Sequence, residues 1–293
     1  MIRLKPTIFI LFIVHTAAGQ PGLRDSLDRI AKDAKGAVGV SLLYTATGKQ
    51  LSFHGKDHFP MQSVFKFPLA LKIFHDIEQG VYSLDQLVHI DEQDWVKGTL
   101  SPLRDSCKGQ TVNVPLREII RYTVSASDNN GCDILFRLAG GTGAVQDFIH
   151  EKGVRDIAIV ATEAQMAQGW SVQYGDWCTP EAMTTLLRLF MEGRILSPAS
   201  TRLLMQFLVE TATGPRRIKG LLSSSMTVAH KTGTSNTNQE GITAATNDVG
   251  IITLPDGSHL IISVFVKDAH ADETTREAVI ARIAAAATCK IPK

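Results

Sequence analysis

Apolar positions along the chain fall into two kinds of pattern. Short runs with strand character stand near both ends, and longer stretches with helical spacing fill the middle. Residues 37–45 and 50–54 read as two strands around a Thr-Gly turn, and 227–235, 248–254 and 260–267 as three more. Pro255-Asp256-Gly257 supplies the tight turn for the last pair. Helical spacing predicts a short helix over 23–34 and a terminal one over 273–288. Between the strand groups the clearest helices are 64–78 (closed by Gly80), 116–125, 130–138, 144–152 and 180–192 (closed by Gly193).

Strands at both ends with helices between them predict an α/β (α+β) chain. One five-stranded antiparallel sheet is built from both termini and flanked by helices, and an all-helical domain is inserted into it. The expected division is a leader over 1–19, a sheet domain from 20–60 with 208–293, and a helical domain over 61–207. A site is expected in the crevice between the two parts. Gly140-Gly141-Thr142-Gly143 lacks the later glycine of a nucleotide loop and follows a helix, so it reads as a helix-to-helix turn.

Composition narrows the class. The 293 residues are 44% hydrophobic and 20% charged, which is ordinary for a globular chain, and the formal charge of +1 with no basic stripe argues against a nucleic-acid partner. Arg3 and Lys5, an apolar run over 8–14 and small residues at Ala17-Ala18-Gly19 have the order of an export signal. Its removal leaves 28 basic against 29 acidic residues, a formal charge of −1. No later segment is apolar enough to span a bilayer, so the expectation is an exported, periplasmic, soluble monomer without a membrane anchor. Cys107, Cys132, Cys178 and Cys289 permit disulfides in an exported protein, and free thiols are the equal alternative. Neither His150-Glu151 nor His54 with His58 has the spacing of a metal site, so neither metal nor cofactor is expected.

Three motifs carry the candidate chemistry. Ser63 and Lys66 lie three apart at a helix start, which brings a hydroxyl and an amine within reach of one another. A serine hydroxyl is a poor nucleophile until a neighbour takes its proton, and a lysine in a crowded cationic pocket can help. Ser127-Asp128-Asn129 stands at a break between helices, where cap or Asx-turn chemistry competes with a catalytic role. Lys231-Thr232-Gly233 lies within an apolar strand, where a lysine and a glycine both weaken a sheet unless something approaches closely.

With its surroundings 62–67, 127–133 and 230–235, this ordered triplet resembles the class A serine β-lactamases, specifically the PER-type and VEB-type extended-spectrum branch. The similarity extends over nearly the whole mature chain, including Glu163-Ala164-Gln165-Met166, Gln173-Tyr174 and 247–251. It implies the fold shared by serine β-lactamases and penicillin-binding proteins and a small-molecule β-lactam substrate. It also implies roles: Ser63 as nucleophile, with the N–H groups of Ser63 and Thr234 holding the oxyanion. Lys66 and Glu163 share the proton chemistry of acylation, Ser127 protonates the leaving nitrogen, and Glu163 activates the deacylating water. Asn129 would bind the substrate's side-chain amide, and Lys231, Thr232 and Arg217 its carboxylate, with Gly233, Thr234 and Ser235 on the same strand edge. Trp95 is the candidate aromatic for the cavity mouth, with a core tryptophan as the competing reading.

The family's commoner pattern has an Asn four residues after the glutamate and an Arg before it. Here those features are replaced by Ala167 and by no arginine, and residues 168–176 read as lengthened. The remodelled loop implies a wide pocket for oxyimino-cephalosporins. Two rivals share the three motifs: a D,D-peptidase acting on cell-wall peptide, and a non-catalytic β-lactam sensor. Glu163 discriminates, because without it the acyl-enzyme persists.

Overall fold

A computed structural model describes residues 22–289. The expected leader, 1–19, lies outside the described residues. The main sheet comprises β1 (Ala37–Tyr44), β2 (Lys49–Phe53), β3 (Thr227–Thr234), β4 (Thr243–Thr253) and β5 (His259–Ala269), in the spatial order β2-β1-β5-β4-β3. Every pairing is antiparallel, so the two ends of the chain meet where β1 pairs with β5, from Ala37 opposite Lys267 to Tyr44 opposite Leu260. Strand β5 is buried on both faces. Leu260, Ile262, Val264 and Val266 enter one apolar core, while Ile261 and Phe265 enter another, as the two-residue period requires.

The first core lies beneath α1 (Leu23–Ala31) and the terminal helix Glu273–Cys289. The second is shared with the helices α2 (Lys66–Glu78), α3 (Leu116–Ser125), α4 (Asn129–Ala139), α5 (Thr142–Glu151), α6 (Pro180–Met191) and α7 (Pro198–Val209). Helix α7 was not legible in the apolar spacing, although Ser197 caps it by accepting from Ser200 N–H and Pro198 occupies its first turn. Strand β4 begins five residues before the expected start. Its first residues, Thr243-Ala-Ala-Thr-Asn, look like loop in sequence, yet all five are buried between β5 and β3. Their polar atoms find partners within the fold, for example Thr246 Oγ1, which accepts from Arg276 Nε at 2.8 Å.

Two small ribbons complete the architecture. Trp177–Cys178 pairs with both Phe59–Pro60 and Ile157–Ala158, and Leu87–Ile90 pairs with Val112–Pro115. The first ribbon closes the base of the loop carrying Glu163 and joins it to the segment just before Ser63. All four cysteines are free thiols. Among the described residues no helix is long and apolar enough to cross a membrane.

Candidate active site

Ser63 lies in the 3-10 turn Gln62–Phe65 that runs directly into α2. The backbone behind it is clamped. Asn247 Nδ2 donates to the carbonyls of Pro60 (2.8 Å) and Met61 (3.1 Å), and Gly233 packs so tightly on the Met61 carbonyl that a Cβ there would collide. The glycine of the third motif is thus a contact requirement rather than a lining residue. Gln62, with φ 48°, and Ser127, with φ 57°, hold left-handed backbone conformations next to Ser63 and in the second motif, at a cost of about 1 kcal/mol each.

One turn beyond Ser63, Lys66 is fully buried. Its Nζ lies 3.0 Å from Ser63 Oγ, 2.8 Å from the Ser127 carbonyl, 2.6 Å from Asn129 Oδ1 and 2.8 Å from Glu163 Oε1. The Ser63 hydroxyl donates to Glu163 Oε1 at 3.1 Å. The Ser127 hydroxyl accepts from Lys231 Nζ at 2.9 Å. Burial, reinforced by the nearby Lys66 charge, holds the Lys231 ammonium well below the ordinary lysine range.

The middle motif divides by function. Asp128 turns inward, caps α4 by accepting from Gly131 N–H (2.7 Å), and accepts from Ser101 Oγ and Leu103 N–H. Ser127 and Asn129 face the cavity instead, with Asn129 Nδ2 donating to Thr99 Oγ1 at 2.6 Å. On the other side β3 is the edge of the sheet, and its Thr232 and Thr234, with Ser235 just beyond, line the cavity.

Glu163 opens the short helix Glu163–Met166, whose start is built by side chains rather than by the arginine of the commoner family pattern. Thr162 and Gln165 form a reciprocal capping box. Asp133 accepts from the N–H groups of Glu163 (2.8 Å) and Ala164 (2.9 Å). Asp176 Oδ1 accepts from Val160 N–H (2.6 Å) and Ala161 N–H (2.9 Å). Burial raises both carboxyls to about 6, against the pull of these N–H donors. Asp133 lies within the 127–133 segment, but its partners are 30 and 31 residues away and no local pattern announces them.

The resulting cavity has a volume of about 590 Å³. Ser63, Ser127, Asn129, Glu163, Thr232 and Thr234 supply polar lining, whereas Val96, Leu100, Met166 and Trp170 supply apolar lining. Trp95, expected at the mouth, does not line it. That residue is 6% exposed, packs in the core and donates its indole N–H to the Gln110 carbonyl. The aromatic residue that does line it is Trp170, from the 168–176 stretch.

Arg217 does not line the cavity either. It is buried, donates to the carbonyls of Gly233 and Asn247, and pairs with Glu277. Its remaining contact is Nη2 to Thr234 Oγ1 at 2.8 Å, so its reach into the cavity runs through Thr234. Replacement by Ala would leave buried acceptors unpaired. The expected loss is about 3 kcal/mol, roughly 8 °C in Tm, read by scanning calorimetry. A shift below 1 °C would contradict this placement.

The fold and the cleft define a serine-dependent hydrolase. A family model described as "Beta-lactamase enzyme family" matches residues 22–291, and the chain belongs to that family as a class A member. It is 41% identical to the extended-spectrum β-lactamase PER-1 of Pseudomonas aeruginosa, over 92% of this chain and 87% of that protein. It is 40% identical to β-lactamase VEB-1 of the same organism, over 93% and 91%. A solved β-lactamase from Chitinophaga pinensis superimposes with a TM-score of 0.90 at 47% identity, covering 92% of this chain and 99% of that one.

Proposed function

We propose that this chain hydrolyses the β-lactam amide of penicillins and cephalosporins, oxyimino-cephalosporins included, through an acyl-enzyme on Ser63, and so confers antibiotic resistance. The observation that carries the reading is the convergence of Lys66 Nζ and Glu163 Oε1 on Ser63 Oγ, at 3.0 and 3.1 Å. In the first step the Ser63 oxygen bonds to the lactam carbonyl carbon. The N–H groups of Ser63 and Thr234 hold the developing oxyanion. The Ser63 hydroxyl faces Glu163 while Lys66 donates to the same oxygen, an arrangement suited to shared proton chemistry. As the carbon–nitrogen bond breaks, Ser127 delivers a proton to the nitrogen and is itself served by Lys231 or Lys66. Asn129 binds the substrate's side-chain amide. Thr232, Thr234 and Ser235 hold its carboxylate, with Lys231 supporting from beneath and Arg217 orienting Thr234.

In the second step Glu163 takes a proton from water, whose oxygen attacks the ester carbon, and Ser63 leaves with a proton restored. This step separates a hydrolase from the peptidase and sensor alternatives. The side-chain ties that hold the Glu163 helix favour the hydrolase.

The mature protein is an exported periplasmic monomer. The leader-like order of residues 1–19 supports export, and the family match beginning at residue 22 is consistent with it. The sheet domain is assigned to 20–60 with 208–293, and the helical domain to 61–207. Purified protein should cleave both a simple penicillin and an oxyimino-cephalosporin at micromolar concentration, followed by loss of lactam absorbance. Cleavage of the penicillin with the cephalosporin left intact would overturn the wide-pocket assignment.

A further inference from the structure

We infer that Trp170 is a specificity-determining residue, the wall against which an aromatic ring on the acyl side chain of the β-lactam packs; this rests on the β-lactamase reading above. Most polar groups of the cavity are engaged with one another, whereas its apolar surface is concentrated in Val96, Leu100, Met166 and Trp170. Trp170 is the one aromatic residue among the cavity's lining residues and is 37% exposed, so a large π-face is open to a partner.

The residue is also held relative to the nucleophile. Gln62, which immediately precedes Ser63, donates from Nε2 to Gln173 Oε1 at 2.5 Å, and Gln173 Nε2 donates to the Trp170 carbonyl at 2.8 Å. Gln173 is 6% exposed, and the strap runs along the cavity wall, partly shielded from solvent. Four residues on, the Tyr174 hydroxyl donates to Asp268 Oδ1 on β5 at 2.5 Å and ties the end of the same 3-10 turn, Trp170–Tyr174, to the sheet. A tryptophan whose backbone is tied in this way keeps its place when a substrate arrives, and a stacking partner then loses little freedom on binding. Asn129 and Trp170 line one cavity, so a pendant aryl group whose amide Asn129 binds meets Trp170 as that cavity's aromatic surface.

The test compares two substrates that share the penicillin nucleus: benzylpenicillin, with a phenyl ring on its acyl side chain, and 6-aminopenicillanic acid, with no acyl side chain. The quantity is kcat/KM, which covers binding and acylation; slackening of the Glu163 loop that slows acylation acts on both substrates and cancels in the ratio of their losses. For Trp170→Ala, kcat/KM for benzylpenicillin should fall about 10-fold and that for 6-aminopenicillanic acid by less than about 2-fold. Trp170→Phe, which keeps a ring, should recover most of the loss. Equal losses on the two substrates, no loss on benzylpenicillin, or no recovery by Phe would overturn the assignment. If wild-type protein hydrolyses neither compound, the underlying β-lactamase reading fails instead, and the two failures are thereby told apart.

Discussion

Replacing Glu163 by Gln should convert turnover into capture. With benzylpenicillin, the variant should accumulate an adduct on Ser63 equal in mass to the whole lactam, because ring opening releases no fragment. Intact-protein mass spectrometry reads the adduct, and kcat should fall by about 10³-fold, the range expected for loss of a positioned general base. Acylation should be slowed less, because Lys66 still reaches Ser63 Oγ at 3.0 Å and Ser127 Oγ at 3.5 Å. Adding Ser63→Ala should abolish the adduct. Wild-type protein that itself accumulated the adduct without turnover would favour the peptidase or sensor reading. A variant that kept full turnover would remove Glu163 from the mechanism.

The second large effect concerns Asp133, which touches no substrate. Its two oxygens hold the N–H groups of Glu163 and Ala164, and only the ionised carboxylate accepts with both. Asp133→Ala strands two backbone donors at the start of the Glu163 helix. It should cost kcat about 10- to 100-fold at neutral pH, with a smaller effect of Asn, which retains one acceptor. The pH dependence has a definite sign. Burial raises the Asp133 carboxyl from 3.8 to about 6, so its stability contribution is complete below pH 3.8 and is lost as pH rises through 6. Relative to Asp133→Asn, the wild type should therefore lose stability between pH 4 and 7, by at most on the order of 3 kcal/mol, as read by urea unfolding.

Activity runs the other way. Protonation below about pH 6 removes an acceptor from the Glu163 helix, and wild-type kcat should fall there. Asp176, raised to about 6 by burial, ties Val160 and Ala161 in the same window. The acid limb of Asp133→Asn should accordingly be shallower, not absent. A wild-type kcat unchanged between pH 5 and 7.5 would show that neither carboxylate governs the loop.

The residues of the three motifs were legible because each combines unusual local chemistry with a local reason for its position. Lys231 interrupts an apolar strand, Ser63 and Lys66 share the start of a helix, and Ser127 marks a break between helices. Asp128 had two readings, and in the structure it caps α4 while its neighbours face the cavity. Trp95 and Arg217 illustrate the opposite case. An indole or a guanidinium has the same composition in a core as at a cavity mouth, and only packing distinguishes the two. Trp170 carried no signal beyond a lengthened loop, and β4 hid its first turn of strand in small polar residues that find partners only across the sheet.

Sequence alone was sufficient for the fold class, because strand and helix periods are short-range properties of the chain, and for the β-lactamase family, because the ordered triplet of motifs and its surroundings resemble it over nearly the whole chain. Which acid holds the Glu163 helix, which tryptophan lines the cavity and how Arg217 reaches it were decided by tertiary structure. Those contacts join residues 17 to more than 100 positions apart, such as Arg217 with Thr234 and Gln62 with Gln173. Their hydrogen-bond and packing energies exist only once the sheet and the helices have closed around the cleft.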